Sequence, residues 1–214
     1  MIKTFYFNDL RTCCYILYDE TGECAIIDPG CYKDSEKDRI IKFIGENNLT
    51  PKMILQTHGH FDHVMGNSFV AERWGIPTYI TAEDIPQMRR ARSYSAFYGY
   101  EFDEPSDNIV EIKDGDVIKV GKMELKVLAS PGHTPGGVMF YNEKDKYVFV
   151  GDTIFKGSVG RSDLPGGDYD ALMNSIKVNI LPMPTDVVIY PGHGPVTDVA
   201  EELMKNPFLE PLYE

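Results

Sequence analysis

Runs of apolar residues, separated by glycine, proline and aspartate, divide the first part of the chain into short elements. The runs at 2–7, 13–18 and 23–27 are strand-like and are joined by turn residues, which predicts an antiparallel meander. Apolar residues then recur at helical spacing over 35–48, which predicts a helix. A short apolar run over 52–56 predicts a buried strand, and a string of histidines begins directly after it.

Two helices and a strand are predicted downstream of that string. The segment 64–75 has a helical pattern, with Gly75 placed to cap its C-terminus, and 77–81 returns to a strand. A longer helical pattern over 84–98 carries arginines and aromatic residues. We interpret it as a solvated amphipathic face, and a lid over a substrate is the alternative.

The second half of the chain again alternates strands with helices. Hairpin-type turns separate its first strands, and a glycine-rich loop covers 157–167. The predicted strands are 110–113, 117–120, 123–129, 138–141, 147–150 and 187–190, and the predicted helices are 168–181 and 199–205. Two successive halves of this kind indicate an α+β fold whose two sheets pack face to face. We predict a single domain over residues 1–214.

Length, composition and charge fit that prediction and narrow the class of partner. A chain of 214 residues with 43% hydrophobic residues can build one large core. Its first residues lack the apolar stretch of a signal peptide, and no run is long enough to cross a bilayer. We therefore expect a soluble, cytoplasmic protein with no membrane partner. The formal charge of -12 disfavours nucleic acid, because polyanions are bound mainly through Lys and Arg, so a small-molecule ligand is expected.

Cysteine usage agrees with a reducing compartment. Cys13, Cys14, Cys24 and Cys31 form no CxxC pair and lie in or near strand-like segments. We expect them to be buried, reduced thiols.

Histidine is rare in the chain and concentrated in one string. Three of the five histidines, His58, His60 and His63, lie in the sequence HGHFDH at the end of a predicted strand. Alternate side chains of an extended segment share a face, so His58, His60 and Asp62 can point the same way while a turn after Asp62 swings His63 aside. A lone histidine is usually a core or surface residue, but three crowded imidazoles would repel on protonation without a cation to hold them. The string therefore predicts a metal site, since imidazole is a common ligand for zinc and suits iron.

Three further residues follow predicted strands in tight loops. They are His133 in SPGHTPG, Asp152 in VFVGD and His193 in PGHG. Loops at strand ends are where ligands converge. Taken alone, Asp152 would be a turn or cap residue. Beside the histidines it supplies the carboxylate that a two-metal centre needs as a bridge.

The order HxHxDH, histidine, aspartate, histidine resembles the metallo-β-lactamase superfamily along nearly the whole chain. The resemblance implies a four-layer αββα sandwich with the metals at one edge between the sheets. Carried over by motif, the implied ligands are His58, His60 and His133 for the first metal, Asp62, His63 and His193 for the second, and Asp152 as the bridge. Asp28, after the third predicted strand, matches the opening aspartate of the superfamily, which implies that it supports the ligands from behind.

Within the superfamily, the chain resembles the short, single-domain branch of the glyoxalase II or hydroxyacylglutathione hydrolase group. β-Lactamases of the commonest type carry cysteine in place of Asp152, and flavodiiron proteins carry glutamate in place of His60. The loops at 151–155 and 160–168 and the sequence NPFL at 206–209 are similar to that branch. Full-length glyoxalase II has a further helical domain that contacts glutathione, and this chain shows no counterpart of it. Arg161 stands where the family places a basic residue near the substrate carboxylate, which implies an anion contact; a loop salt bridge is the alternative.

The resemblance implies a thioester hydrolase with two divalent metal ions, zinc in the first place and iron or manganese otherwise. Such a pair would lower the pKa of a shared water from about 16 towards about 7, which provides a hydroxide nucleophile at neutral pH. The hydroxide would attack the thioester carbonyl, and Asp62 would orient it as well as bind metal.

Three alternatives stay open. Persulfide dioxygenases resemble glyoxalase II and hold one iron with residues that match His58, His133 and Asp152. A lactonase would use the same two-metal site on another ester. A metal-binding module without catalysis is the third, although a structural zinc site closes on four ligands, usually rich in cysteine.

Overall fold

The computed structural model describes residues 1–210 and contains two six-stranded sheets in that part of the chain. In chain order, its elements are β1 (Ile2–Phe7), β2 (Thr12–Tyr18), β3 (Glu23–Ile27), α1 (Asp34–Glu46), β4 (Thr50–Leu55), α2 (Phe61–Val64), α3 (Asn67–Trp74), β5 (Thr78–Thr81), α4 (Ile85–Ser95), a 3-10 turn (Ala96–Tyr98), β6 (Ile109–Ile112), β7 (Val117–Val120), β8 (Met123–Ala129), β9 (Val138–Asn142), β10 (Tyr147–Gly151), β11 (Ile154–Phe155), β12 (Ser158–Val159), α5 (Tyr169–Asn179), β13 (Val188–Pro191), β14 (Thr197–Asp198) and α6 (Val199–Lys205).

Contacts within the chain group these elements into two compact units. The first contains residues 1–112 and 119–124, and the second contains 113–118 and the described residues from 125 onward. The prediction of one domain over 1–214 stays a prediction, because a compact group of contacts need not fold on its own.

The first unit is built on a mixed sheet with strand order β1-β2-β3-β4-β5-β6. The first three strands form the predicted antiparallel meander, and β3, β4, β5 and β6 run parallel to one another. Parallel strands need a crossover between them, and α1 and the α2–α3 segment supply two of these. The histidine string thus follows the carboxyl end of β4.

Apolar side chains on one face of this sheet pack with two helices. Ile40 and Ile44 of α1 and Val70 of α3 are buried in one cluster with Ile26 and Ile54 of the strands. The spacing of Ile40 and Ile44 puts both on one side of α1. Strand β2 is buried at six of its seven residues, which is the pattern of a strand covered on both faces.

The second unit contains most of the sheet with strand order β14-β13-β10-β9-β8-β7. Its central strands β9 and β10 are antiparallel and are buried at every residue. Helix α5 packs on this sheet through Leu172 and Ile176, which are fully buried beside Val148 and Ile189. Asp168 caps α5 by accepting a hydrogen bond from the backbone N–H of Ala171 at 2.9 Å.

Three local features differ from the elements expected from sequence. Strand β6 pairs in parallel with β5, so it belongs to the first sheet and not to the hairpin series that follows. The reason is packing, since Ile109 joins the cluster of Val64 and Met88. Within the predicted loop 157–167, the chain forms the second strand of the β11–β12 ribbon, and the two-residue strand β14 was not predicted.

All four cysteines are fully buried, which confirms the expectation of buried thiols. Burial raises the pKa of Cys24 and of Cys31 to about 12 and that of Cys14 well above its usual value. These thiols therefore stay protonated near neutral pH and are poor nucleophiles.

None of the helices formed by residues 1–210 is long and apolar enough to span a bilayer.

Helix α5 offers a matched test of the second core. Ile176→Ala removes a fully buried side chain and is expected to lower the free energy of unfolding by about 2–5 kcal/mol. Val178→Ala, on the same helix but 57% exposed, should change it by less than about 0.5 kcal/mol. Urea unfolding followed by circular dichroism measures both, and equal losses would contradict the packing described here.

Candidate metal centre

The histidine string begins in extended backbone and ends in a single helical turn. His60 has extended backbone angles and directly precedes α2, so Asp62 and His63 lie within that turn. The chain therefore turns at Phe61, one residue before the position expected from sequence. Asp62 therefore lies in helical backbone, so the alternation expected of an extended segment over His58, His60 and Asp62 does not reach Asp62.

The three imidazoles of the string are crowded together and buried. The ring of His58 lies 4.9 Å from that of His60 and 4.1 Å from that of His63, centroid to centroid. Their side chains are between 0% and 7% exposed. Protonation of more than one ring would place like charges side by side out of water, so the arrangement suits neutral rings that act as metal ligands.

Asp28 holds this cluster from behind. Its carboxylate accepts hydrogen bonds from the Gln56 side-chain amide at 3.0 Å, the Thr57 N–H at 2.8 Å and the Thr57 hydroxyl at 2.6 Å. Its Oδ2 also lies 3.0 Å from Nδ1 of His63. A buried carboxylate is tolerated when it is fully hydrogen-bonded, and these contacts occupy both of its oxygens.

The hydrogen bonds of Asp28 also define which ring nitrogens carry a proton. A carboxylate only accepts, so Nδ1 of His63 is the donor. The Thr57 hydroxyl gives its single proton to Asp28, and it can therefore only accept from Nδ1 of His58, 3.0 Å away. Both imidazoles thus carry the proton on Nδ1 and present a bare Nε2 lone pair, which is the form that binds a metal.

A loop of the first unit fixes Asp62. The Thr12 hydroxyl donates to Oδ2 of Asp62 at 2.7 Å, and the Asn8 side chain donates to the backbone carbonyl of Asp62 at 3.0 Å. The same Oδ2 lies 3.4 Å from Nε2 of His63. Asp62 is thereby oriented with its carboxylate beside the bare nitrogen of His63.

Asp84 anchors the string to α4. It is the residue before that helix, but its carboxylate accepts from the backbone N–H of Gly59 at 2.7 Å instead of capping the helix. Asp84 is fully buried. A Cβ on Gly59 would lie 2.6 Å from the backbone N of Met88, so only glycine permits this close approach. The first turn of α4 therefore sits directly on the residue between His58 and His60.

The second unit brings its own three predicted ligands together. Oδ2 of Asp152 lies 3.4 Å from Nε2 of His133 and 3.5 Å from Nε2 of His193. Asp152 follows β10, and His193 follows the parallel neighbour β13. Parallel strands end on the same edge of a sheet, which is why residues so far apart in sequence meet there.

The donor spacing in both units fits a divalent metal. Two ligands that are each about 2.0–2.1 Å from a tetrahedral zinc ion are about 3.4 Å from each other. The three imidazole-to-carboxylate distances, 3.4, 3.4 and 3.5 Å, match this value. They are longer than a good N–H···O hydrogen bond. Imidazole nitrogens and carboxylate oxygens are also the donors that zinc, iron and manganese accept.

His133 is oriented by a backbone carbonyl. Its Nδ1 lies 2.6 Å from the carbonyl oxygen of Arg161, and a carbonyl can only accept, so Nε2 is again the bare nitrogen. The chain reaches this point by passing close to Asp152. A Cβ on Gly160 would lie 1.8 Å from the carbonyl oxygen of Asp152, so this position also requires glycine.

The side chain of Arg161 forms a salt bridge within its own loop. Its guanidinium binds Asp163 through two hydrogen bonds of 2.9 and 3.0 Å, and the arginine side chain is 66% exposed. This contact matches the loop salt bridge that the sequence left as the alternative. The role of Arg161 as an anion contact stays a prediction.

Helix α6 clamps the ribbon that follows Asp152. The buried carboxylate of Glu202 accepts from the backbone N–H of Gly157 at 2.9 Å and from the Asn206 side chain at 2.8 Å. Asn206 also donates to the carbonyl of Ser158 at 3.0 Å. The Asn-Pro-Phe-Leu sequence therefore has a structural task, which is to hold the loop between Asp152 and Arg161.

Each unit thus gathers part of the predicted ligand set, and Asp28 lies behind the first part. That the predicted ligands of both units together form one two-metal centre stays a prediction. Sequence reasoning missed several supporting residues, namely Thr12, Gln56, Thr57, Asp84 and Glu202. Thr57 directly precedes the histidine string, and Asp84 directly precedes α4. Only the structure shows that the Thr57 side chain binds Asp28 and that the Asp84 side chain binds Gly59.

The features described so far define a class of protein: a mixed α/β fold with two sheets whose strand ends carry buried histidine and aspartate sets suited to divalent metals. A model of the metallo-beta-lactamase superfamily matches residues 9–193. The chain belongs to the metallo-beta-lactamase superfamily.

Two curated relatives are similar over most of the chain. The Bacillus subtilis protein named probable metallo-hydrolase YqgX is 38% identical over 87% of this chain and 87% of its own length. The Haemophilus influenzae hydroxyacylglutathione hydrolase GloC is 34% identical over 92% of each chain. A branch related to glyoxalase II, as predicted from the motifs, is therefore supported.

Two solved structures share the fold. A di-iron-bound form of TTHA1623 superposes with a TM-score of 0.88 at 34% identity, covering 97% of this chain and 100% of the other. The B3 metallo-beta-lactamase BLEG-1 superposes with a TM-score of 0.85 at 32% identity, covering 98% and 100%. The predicted metallo-β-lactamase fold is confirmed.

Asp28→Asn tests whether hydrogen bonding sets the histidine tautomers. An amide in place of Oδ2 would point a donor at Nδ1 of His63 and favour the tautomer that protonates Nε2. We expect metal affinity to fall by about 10–100-fold, measured by competition with a chromogenic chelator. Asp198→Asn, at the cap of α6, is the control and should bind metal normally. Wild-type affinity in Asp28→Asn would contradict the role given to Asp28.

Asp84 can be tested by comparing two substitutions. Asp84→Ala removes the acceptor of the Gly59 N–H and should weaken metal binding by about tenfold, because the backbone between His58 and His60 is no longer held. Asp84→Asn keeps an acceptor and should recover most of that loss. Metal affinity and urea stability are measured together. A loss of stability without a loss of affinity would show that Asp84 only supports the fold.

Proposed function

We propose that this protein is a metal-dependent thioester hydrolase of the glyoxalase II type, acting on a small molecule. The observation that carries the proposal is that Nδ1 of His58, His63 and His133 each lies within hydrogen-bond distance of an oxygen acceptor, which favours the tautomer with an unprotonated Nε2. Side chains prepared in this way are poor as general acids and good as metal ligands.

The proposed centre uses both ligand sets. The residues that would hold its two divalent ions are His58, His60 and His133, then Asp62, His63 and His193, with Asp152 shared. Zinc is the metal we propose, and the di-iron form of TTHA1623 makes iron the first alternative to test. When bound, such ions supply Lewis acidity at a carbonyl oxygen and an activated water.

The substrate class is supported by relatedness. Hydroxyacylglutathione hydrolase GloC is 34% identical over 92% of this chain, and the compound in its name is a thioester. The chain carries formal charge -12, which disfavours a nucleic-acid substrate. We therefore propose a thioester of small size.

The protein's own residues have defined tasks in this reaction. The water oxygen bonds to the acyl carbon, the carbon–sulfur bond breaks, and the thiolate sulfur takes up a proton. Asp62, held by the Thr12 hydroxyl at 2.7 Å, orients the attacking water through its carboxylate. Burial raises the pKa of Cys14, Cys24 and Cys31, so these thiols do not compete as nucleophiles.

Hydrolysis is tested with the chain of 214 residues by thiol release. Protein loaded with zinc, iron or manganese is expected to release free thiol from S-acyl glutathione and from simpler S-acyl thiols. Chelation should abolish the activity and added metal should restore it. Asp152→Asn should lower kcat/KM by at least about a hundredfold, since it weakens a shared contact to the metals, and Asp198→Asn should leave it unchanged.

Other chemistries appear as distinct outcomes of the same preparation. Oxygen consumption with a glutathione persulfide and one iron per chain would assign a dioxygenase and overturn the proposal. Turnover of lactones or of a chromogenic β-lactam without thioester turnover would overturn the substrate class while keeping the metal site.

A further inference from the structure

Five aromatic rings of the first unit form a connected group beside the histidine string, which we call the aromatic rim: Tyr32, Phe61, Tyr94, Tyr98 and Tyr100. Phe61 is its centre, with ring centroids 6.1, 5.7 and 5.8 Å from those of Tyr94, Tyr98 and Tyr100. Tyr32 meets Tyr100 edge to face at 5.3 Å. These distances are within the range of favourable ring contacts.

The aromatic rim is continuous with the predicted ligands. Phe61 is the residue between His60 and Asp62 in the chain. Tyr100 is close enough to Asp62 for the two groups to interact electrostatically. Burial, Asp9 and Asp62 together raise the pKa of Tyr100. A group bound on the aromatic rim would therefore extend directly from the place where Asp62 acts.

Part of the aromatic rim is open to solvent. Tyr98 is 60% exposed, and the adjacent Phe97 is 89% exposed. The Tyr94 and Tyr98 hydroxyls lie 3.2 Å apart, which places the polar ends of these two rings together. Aromatic carbon left in water is a surface that gains by binding an apolar partner.

The aromatic rim is held in place before any ligand binds. Asp84 joins the start of α4 to Gly59, and Tyr98 stacks on Phe61 with an angle of 14° between the ring planes. Gly99 then turns the chain with a left-handed φ of 80°, and Tyr100 N–H bonds to the Ser95 carbonyl. A preformed surface binds without the cost of ordering it.

Three cations in the segments that carry the aromatic rim are paired with carboxylates. Lys33 pairs with Asp9 at 2.7 Å, Arg89 with Asp107 at 2.6 Å and Arg92 with Glu104 at 3.3 Å. These cations are engaged by carboxylates of the chain. What the aromatic rim offers is ring faces with hydroxyl groups, which suits a planar or bulky apolar group.

We propose that the aromatic rim is the acyl-binding surface and that it selects thioesters with an aryl or similarly bulky apolar acyl group. This inference rests on the thioesterase activity proposed above. It gives residues 84–98 a task beyond that of a solvated helix face.

The test uses two pairs of compounds that share one thiol. The first pair is the phenylacetyl and acetyl thioesters, assayed for kcat/KM. The second pair is the matched thioethers, which carry the corresponding benzyl or methyl ketone. Their carbonyl carbon is not bonded to sulfur, so they cannot be hydrolysed as thioesters. Their Kd is measured by calorimetry. Metal-loaded wild type, Tyr98→Ala and the control Met204→Ala are compared. Met204 is an exposed apolar residue of α6, in the second unit.

We expect wild type and Met204→Ala to prefer the aryl compound about tenfold in both assays. Tyr98→Ala should reduce this preference to about twofold and leave the acetyl compound within about twofold of wild type. Tyr98 is 60% exposed, and circular dichroism checks that Tyr98→Ala keeps the wild-type fold.

The outcomes separate the two proposals. Hydrolysis of both thioesters with no aryl preference, or an equal loss for both in Tyr98→Ala, overturns the acyl assignment and leaves the thioesterase intact. If neither thioester is hydrolysed but the aryl thioether binds more tightly through Tyr98, the thioesterase fails and the aryl-binding surface stands.

Discussion

The buried carboxylate of Asp28 is the contact on which the predicted metal ligands of the first unit depend. Taking a carboxylate out of water is costly unless donors replace the lost hydration. Here the side chains of Gln56, Thr57 and His63 and the backbone N–H of Thr57 do so. The same bonds aim the ring of His63 and, through Thr57, that of His58. Asp28 itself has a left-handed φ of 48°, a conformation that aspartate adopts more readily than most residues. The carboxylate of Asp28 thus contributes both to the stability of the fold and to the orientation of the predicted ligands.

In the second unit, a backbone carbonyl and not a carboxylate orients the histidine ring. Nδ1 of His133 meets a backbone carbonyl, and the loop that carries this carbonyl is held by Glu202 and Asn206 on α6. A carbonyl carries no net charge, so the partner of Nδ1 in His133 is neutral, whereas the partner of Nδ1 in His63 is a carboxylate. Glycines at 59 and 160 let neighbouring backbone pass next to the ligands in both units. In each unit, the predicted ligands are therefore positioned by the residues that pack behind them.

Much of this arrangement is readable from sequence, for identifiable reasons. Alternating apolar runs define most strands, and HxHxDH marks the ligands because so few structural roles require that spacing. Strand β6 was misplaced because local periodicity does not say which sheet a strand joins. Asp84 and Glu202 were missed because a lone acidic residue at a helix looks like a surface charge, and only folding buries it against a distant backbone N–H. The contact of Arg161 with Asp163 likewise depends on loop conformation.

The most direct measurement of the role of Asp28 is the tautomeric state of the histidines in metal-free protein. Nitrogen NMR of the ¹⁵N-histidine-labelled protein, near pH 8, distinguishes a protonated ring nitrogen from an unprotonated one. We predict that His58 and His63 carry the proton on Nδ1 and have a bare Nε2 before any metal is added. A protonated Nε2 on His63, or rapid exchange between both tautomers, would contradict the prediction that Asp28 prepares these ligands.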